Sequence, residues 1–133
     1  MPKVSRYNLK KEDLFRYFND LELSFALFDS RQEVQEFLKD LLTHTEKKML
    51  AKRLQIAKLL LDGENYDFIR ENLKVTPGTI AQVSNILANA GTGYKKVWDK
   101  LKRVNKSRQK VAADRINRLQ RYVRRPLSRI NLI

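Results

Sequence analysis

The residues of this 133-residue chain best suited by type and spacing to chemistry with a partner lie at Thr76, Pro77, Gly78, Thr79, Ala81, Gln82 and Asn85. The chemistry they suit is non-covalent. The Thr76 hydroxyl can accept from an orphan amide, and Pro77 presets φ at a first helical position, so a helix should begin at about Pro77. Small and amide-bearing side chains at its leading end can approach base edges in a DNA major groove without clashing. Gly78, Thr79, Ala81 and Gln82 are therefore the expected base-reading residues, with Gln82 able to pair with adenine in bidentate fashion.

Covalent and metal chemistry have no comparable set. His44, the only histidine, falls in the first turn of a predicted helix, and the chain has no cysteine. It lacks a Ser/His/Asp set, a metal-ligand cluster and a phosphate-cradling glycine loop. Glu12 and Asp13 sit at a helix start, where they complement the helix dipole. Trp98 and Met49 read as core. No enzyme activity, cofactor or metal is expected.

The element that must position the candidate readers spans Tyr66 to Leu87. Ile69, Leu73, Val75, Ile80 and Val83 recur at offsets of 4, 2, 5 and 3, the core-facing pattern of two short helices across a tight turn. That is a helix-turn-helix signature, although any three-helix corner can show similar spacings. Two positions depart from the commonest form: Arg70 stands where a small residue is usual, and Lys74 replaces the turn glycine. A non-glycine residue in a left-handed turn costs about 1 to 2 kcal/mol. Both side chains could reach phosphates.

Composition supports an all-α chain with an anionic partner. Four glycines, three prolines and no alternating strand pattern point to helices throughout. Net charge is +13, and residues 95–133 carry 14 basic residues against only Asp99 and Asp114. Such asymmetry fits a polyanion, most simply nucleic acid; a solvated helical face is the alternative. With no apolar run near 18 residues, no signal-type segment and no cysteine, a soluble cytoplasmic protein is expected, with no membrane partner.

In chain order, residues 1–10 form a basic arm. A helix should run from about Lys11 to Phe28, with Leu14, Phe18, Leu21, Phe25 and Phe28 at spacings of 4, 3, 4 and 3. Phe15 and Tyr17 widen that seam, which suggests that part of it meets another subunit. Ser30 with Glu33, and Thr43 with Glu46, form capping boxes opening two more helices. The helix opened by Ser30, second in the chain, places Val34, Phe37, Leu38 and Leu41 inward. The third should reach Leu61, closed by Asp62 and Gly63, and is apolar over so wide an arc (Met49, Leu50, Leu54, Ile56, Ala57, Leu60, Leu61) that it fits the centre of an interlocked dimer. After a break at 88–93, a helix resumes near Tyr94, and a separate basic amphipathic helix is predicted from about Ser107 to before Pro126. Its stripe is Ala112, Ile116, Leu119 and Val123. The organisation is thus an arm (1–10), a helical domain (11–103) and a basic extension (104–133).

From Leu41 to Ala90, through LLTHTEKKMLAKRLQIAKLLLDGE and TIAQVSNIL, the chain resembles the Trp repressor superfamily, most closely its YerC/YecD branch. The resemblance implies an all-helical intertwined homodimer with two recognition helices in successive major grooves. It also implies a basic residue near the DNA backbone at Arg70, whereas Lys74 still departs. Trp repressor holds tryptophan with two arginines, a glycine and a small polar residue. Here Arg53 keeps the first arginine, while Gln82, Val83 and Ile86 replace the second arginine, the glycine and the polar residue. Val83 would occupy the space needed by an indole, Ile86 would add apolar bulk, and the carboxylate would lose a charged partner. No tryptophan binding is expected.

The expected function is that of a dimeric, sequence-specific DNA-binding regulator, a repressor independent of tryptophan. Phosphate contacts would come from Arg70 and Lys74, and from Arg115, Arg118, Arg121, Arg124 and Arg125 in the basic extension. The competing classes are a structured-RNA or ribosome-associated binder using that extension, and an interaction module without nucleic acid.

Overall fold

A computed structural model describes residues 7–123, and these form six helices with no strand among them. They are α1 (Lys11–Ala26), α2 (Arg31–Leu41), α3 (His44–Leu61), α4 (Tyr66–Leu73), α5 (Pro77–Asn89) and α6 (Thr92–Val123). The all-helical class therefore stands. Two compact units divide the chain, residues 1–50 and 51–133.

In the first unit, local capping fixes where helices begin. The Ser30 hydroxyl accepts from the Glu33 amide at 3.2 Å, and the Glu33 carboxylate accepts from the Asp29 amide at 3.0 Å. Thr43 and Glu46 make the reciprocal pair in full: the Glu46 amide donates to the threonine hydroxyl at 3.2 Å, and the Thr43 amide donates to the carboxylate at 2.7 Å. Those hydrogen bonds, the backbone one first, hold the Glu46 carboxyl below its ordinary pKa. A depressed carboxyl stabilises the fold above its unfolded pKa and loses that contribution as pH falls through the folded one. The protection factors of amides at the start of α3, exchange rates corrected for the intrinsic pH dependence, should therefore fall on acidification below about pH 4.3, the ordinary glutamate value. Glu46→Gln, which cannot ionise, should show no such step.

The first helix ends at Ala26, two residues short of the predicted Phe28, and Phe28 turns back as part of an aromatic cluster. Phe25, Phe28 and Phe37 lie with ring centroids 5.2 to 6.0 Å apart, in edge and tilted contacts that tie α1 to α2. The rest of the α1 seam has no such cover: Phe15 is 75 % exposed and Phe18 55 %. Leu41 and Leu50, expected inward, are also exposed.

The second unit holds the buried core. Ile56 and Ala57 of α3, Ile69 of α4, and Ile80 and Val83 of α5 are all at most 1 % exposed, with Leu73, Val75, Leu87 and Tyr94 among those packed against them. Each fully buried isoleucine or valine contributes about 1.5 to 3 kcal/mol relative to exposure. Where α5 gives way to α6, Gly91 has φ +67° and lies so close to the preceding turn that a Cβ would stand 2.8 Å from the Leu87 Cα. Only glycine fits that corner.

The last helix differs from the expectation of two segments. Residues 92–123 form one unbroken helix, crossing the composition shift at Lys102 without interruption. Physically the reason is simple: no glycine or proline stands between Gly93 and Pro126, so nothing ends the helix where the charge changes.

Candidate nucleic-acid interface

The helix-turn-helix is built from two caps and one strained turn. Asn65 opens α4 by accepting from the Phe68 amide at 2.8 Å. The helix ends at Lys74, the only described non-glycine residue with positive φ (52°). Its carbonyl accepts from the Lys52 ammonium at 3.3 Å, a link from α3 to the turn. Val75 then packs on the core, and Thr76 caps α5, its hydroxyl accepting from the Thr79 amide at 3.3 Å.

Lys74 thus holds the left-handed conformation at a cost of about 1 kcal/mol relative to glycine. Lys74→Gly is expected to raise stability by about 0.5 to 1 kcal/mol. Denaturant unfolding checks this, and any accompanying loss of DNA affinity would identify what the side chain does at the surface.

With Ile80 and Val83 committed to the core, the other side of α5 is left for contact. Gln82 and Gly78 are exposed, while Thr79 and Ala81 are half-buried beside them. Thr79 also lies with its hydroxyl oxygen 2.9 Å from that of Thr76. Arg70 is exposed on α4, 3.4 Å from the Asp67 carboxylate in a surface pair that contributes little to stability. Arg115, Arg118 and Arg121 are exposed along α6, and Arg124 and Arg125 lie outside the described residues.

The four positions compared with a tryptophan pocket divide by burial. Val83 is 1 % exposed and part of the core, whereas Ile86 is 46 % exposed. Arg53 is half-buried and Gln82 exposed. Among the described residues no group of three or more His, Cys, Asp or Glu side chains could hold a metal, and no helix is long and apolar enough to cross a membrane.

Sequence reasoning missed one cluster, at the root of α6. The Trp98 indole N–H donates to Asp62 at 3.1 Å, and Lys102 reaches the same carboxylate oxygen at 3.2 Å. The Lys58 and Lys102 ammonium groups stand 4.9 and 4.7 Å from the Trp98 ring centroid. Trp98 is thus an anchor of mixed character, half-buried and hydrogen-bonded, rather than simple core. The clasp fixes the start of α6 against the end of α3.

Comparison with known proteins decides the family. The model of the Trp repressor protein family matches residues 21–102, from the middle of α1 through the root of α6. The chain belongs to the Trp repressor family. This is a family of helix-turn-helix DNA-binding regulators, not of enzymes. The chain falls with the YerC-like branch: it is 29 % identical over 94 residues to YerC, an uncharacterized protein of Bacillus subtilis (strain 168), covering 71 % of this chain and 86 % of YerC. It is also similar to the crystal structure of a candidate Trp repressor from Staphylococcus aureus, with 26 % identity and a TM-score of 0.62 over 71 % of this chain and 96 % of that one. Within the family, the match leaves the greater part of α6 beyond its bounds.

Proposed function

We propose that the protein is a cytoplasmic homodimer that binds specific duplex DNA sequences through α5 and represses transcription without tryptophan. The observation that carries this reading is the division of α5, with Ile80 and Val83 sealed in the core and Gln82 exposed beside Gly78, Thr79 and Ala81 at a capped helix start. The exposed aromatic seam of α1 supports a second subunit, because contiguous apolar surface of this kind is normally covered. Val83 in the core supports independence from tryptophan, since a β-branched side chain stands where the family's ligand would need bare backbone.

In this reading Gly78, Thr79, Ala81 and Gln82 face base edges, Arg70 and Lys74 hold phosphates and set the register, and the α6 arginines add affinity with little sequence information. Gln82→Ala should weaken binding to the preferred site by about 1 to 3 kcal/mol and relax preference at one base pair of each half-site. Anisotropy titrations against the site and its single-base variants would show this. Unchanged affinity and preference would remove α5 from the reading role.

A second reading follows from α6 itself. Its exposed cationic surface, continuous beyond the family match, suits structured RNA as well as DNA phosphates. Competition between duplex DNA and ribosomal RNA at matched salt separates the two.

A further inference from the structure

We propose that Thr79 reads thymine through its methyl group, making a thymine in each half-site a specificity determinant of this protein. The inference rests on the reading of α5 as the base-contacting helix and names the chemistry at one of its positions.

Threonine carries two groups on Cβ, a hydroxyl and a methyl. At Thr79 the hydroxyl oxygen is taken up within the protein, 2.9 Å from the Thr76 hydroxyl, while the Thr79 amide donates to that same Thr76 oxygen at 3.3 Å. Turning the hydroxyl toward a base would give up this exposed hydroxyl pair, while the amide bond that caps α5 would remain. The methyl cannot hydrogen-bond, and Thr79 as a whole is half-buried, not sealed in the core. In the major groove the only apolar group on any base edge is the C5-methyl of thymine, so a methyl presented there selects that base.

Gly78 supplies a second observation. Its backbone is not left-handed, and a Cβ at this position would meet only the Thr76 hydroxyl, at 4.0 Å. Neither turn geometry nor internal packing requires glycine there, although glycine weakens a helix by roughly 0.5 to 1 kcal/mol relative to alanine. Its absent side chain keeps the surface beside Thr79 low enough for a base edge to approach.

The experiment uses the full chain and a duplex enriched from random DNA. Each thymine of the enriched site is replaced singly by deoxyuridine, which removes the C5-methyl and nothing else, and binding is titrated for the wild type, Thr79→Val and Thr79→Ser. Comparing thymine with deoxyuridine within each protein cancels any general loss from an altered cap. For the wild type, one position per half-site should bind about 3- to 10-fold more weakly as deoxyuridine. Thr79→Val, which keeps a methyl, should retain that ratio, and Thr79→Ser should bring it to unity. Overturning results are a site insensitive to every deoxyuridine, or a ratio lost in Thr79→Val and kept in Thr79→Ser. The absence of any enriched motif is a different failure, since it removes the base-reading role of α5 together with the inference.

Discussion

Replacing Ile80 by alanine is expected to destabilise the protein by about 2 to 5 kcal/mol, the range for truncating a fully buried aliphatic side chain. Ile80 is 0 % exposed and, among the described residues, shares its core with four others that are fully buried, so few neighbours can relax into the space it vacates. Against a total stability of about 5 to 15 kcal/mol, such a loss is a large fraction, and the midpoint of thermal unfolding should fall by roughly 10 °C or more. Val111→Ala on α6 provides the comparison. That residue is 65 % exposed, and its truncation should change stability by less than about 0.5 kcal/mol. Similar effects for the two variants in circular dichroism melts would show that the α3–α4–α5 core does not carry the fold.

Deletion of residues 107–133 is expected to produce the largest change in DNA affinity. The segment carries eight lysines and arginines against the single acid Asp114. If half of those cations meet phosphates, the slope of log affinity against log salt should become shallower by about 3 to 4 per chain, because each contact releases about 0.9 of a counterion. At 0.1 M salt that corresponds to a loss on the order of 100-fold or more, shared by specific and random sequences alike. The ratio between them should barely move. Helical content should drop with the lost part of α6, while the clasp of Trp98, Asp62 and Lys102 lies before the cut and should persist. A deletion that abolished sequence preference, with Gln82→Ala inert, would reverse the roles assigned to the two elements.

The legible parts of this protein were those governed by short-range chemistry. Thr76 followed by Pro77 announces the start of α5 because hydroxyl capping and a preset φ act within one turn, and the capping boxes at Ser30 and Thr43 do the same for α2 and α3. The turn at Lys74 was legible as a departure from glycine, and its left-handed backbone follows from the geometry any such turn needs.

Continuity of α6 was in principle readable, since no helix breaker follows Gly93 before Pro126. The change of composition at Lys102 obscured it. Charge and helicity are separate properties: lysine and arginine are good helix formers, so a basic tract is no sign of a new element.

Long-range pairings were not legible. Trp98 and Asp62 stand 36 positions apart and share no periodicity, so their hydrogen bond exists only because the corner at Gly91 turns α6 toward the end of α3. The Thr76–Thr79 hydroxyl contact is local, yet it depends on rotamers that residue types alone do not determine. Val83 and Ile86, by contrast, were separable by spacing: Val83 stands three residues after Ile80 in the core-facing pattern, and Ile86, outside that pattern, is 46 % exposed.

The most direct measurement is selection of bound fragments from random duplex DNA by the full chain, with structured RNA selected in parallel at the same salt. Two recognition helices held by a twofold pair of subunits should enrich a palindromic DNA motif with half-site centres about 34 Å, or one helical turn, apart. Recovery of RNA in place of DNA, or of DNA with no shared motif, would contradict the assignment of α5 as the reader.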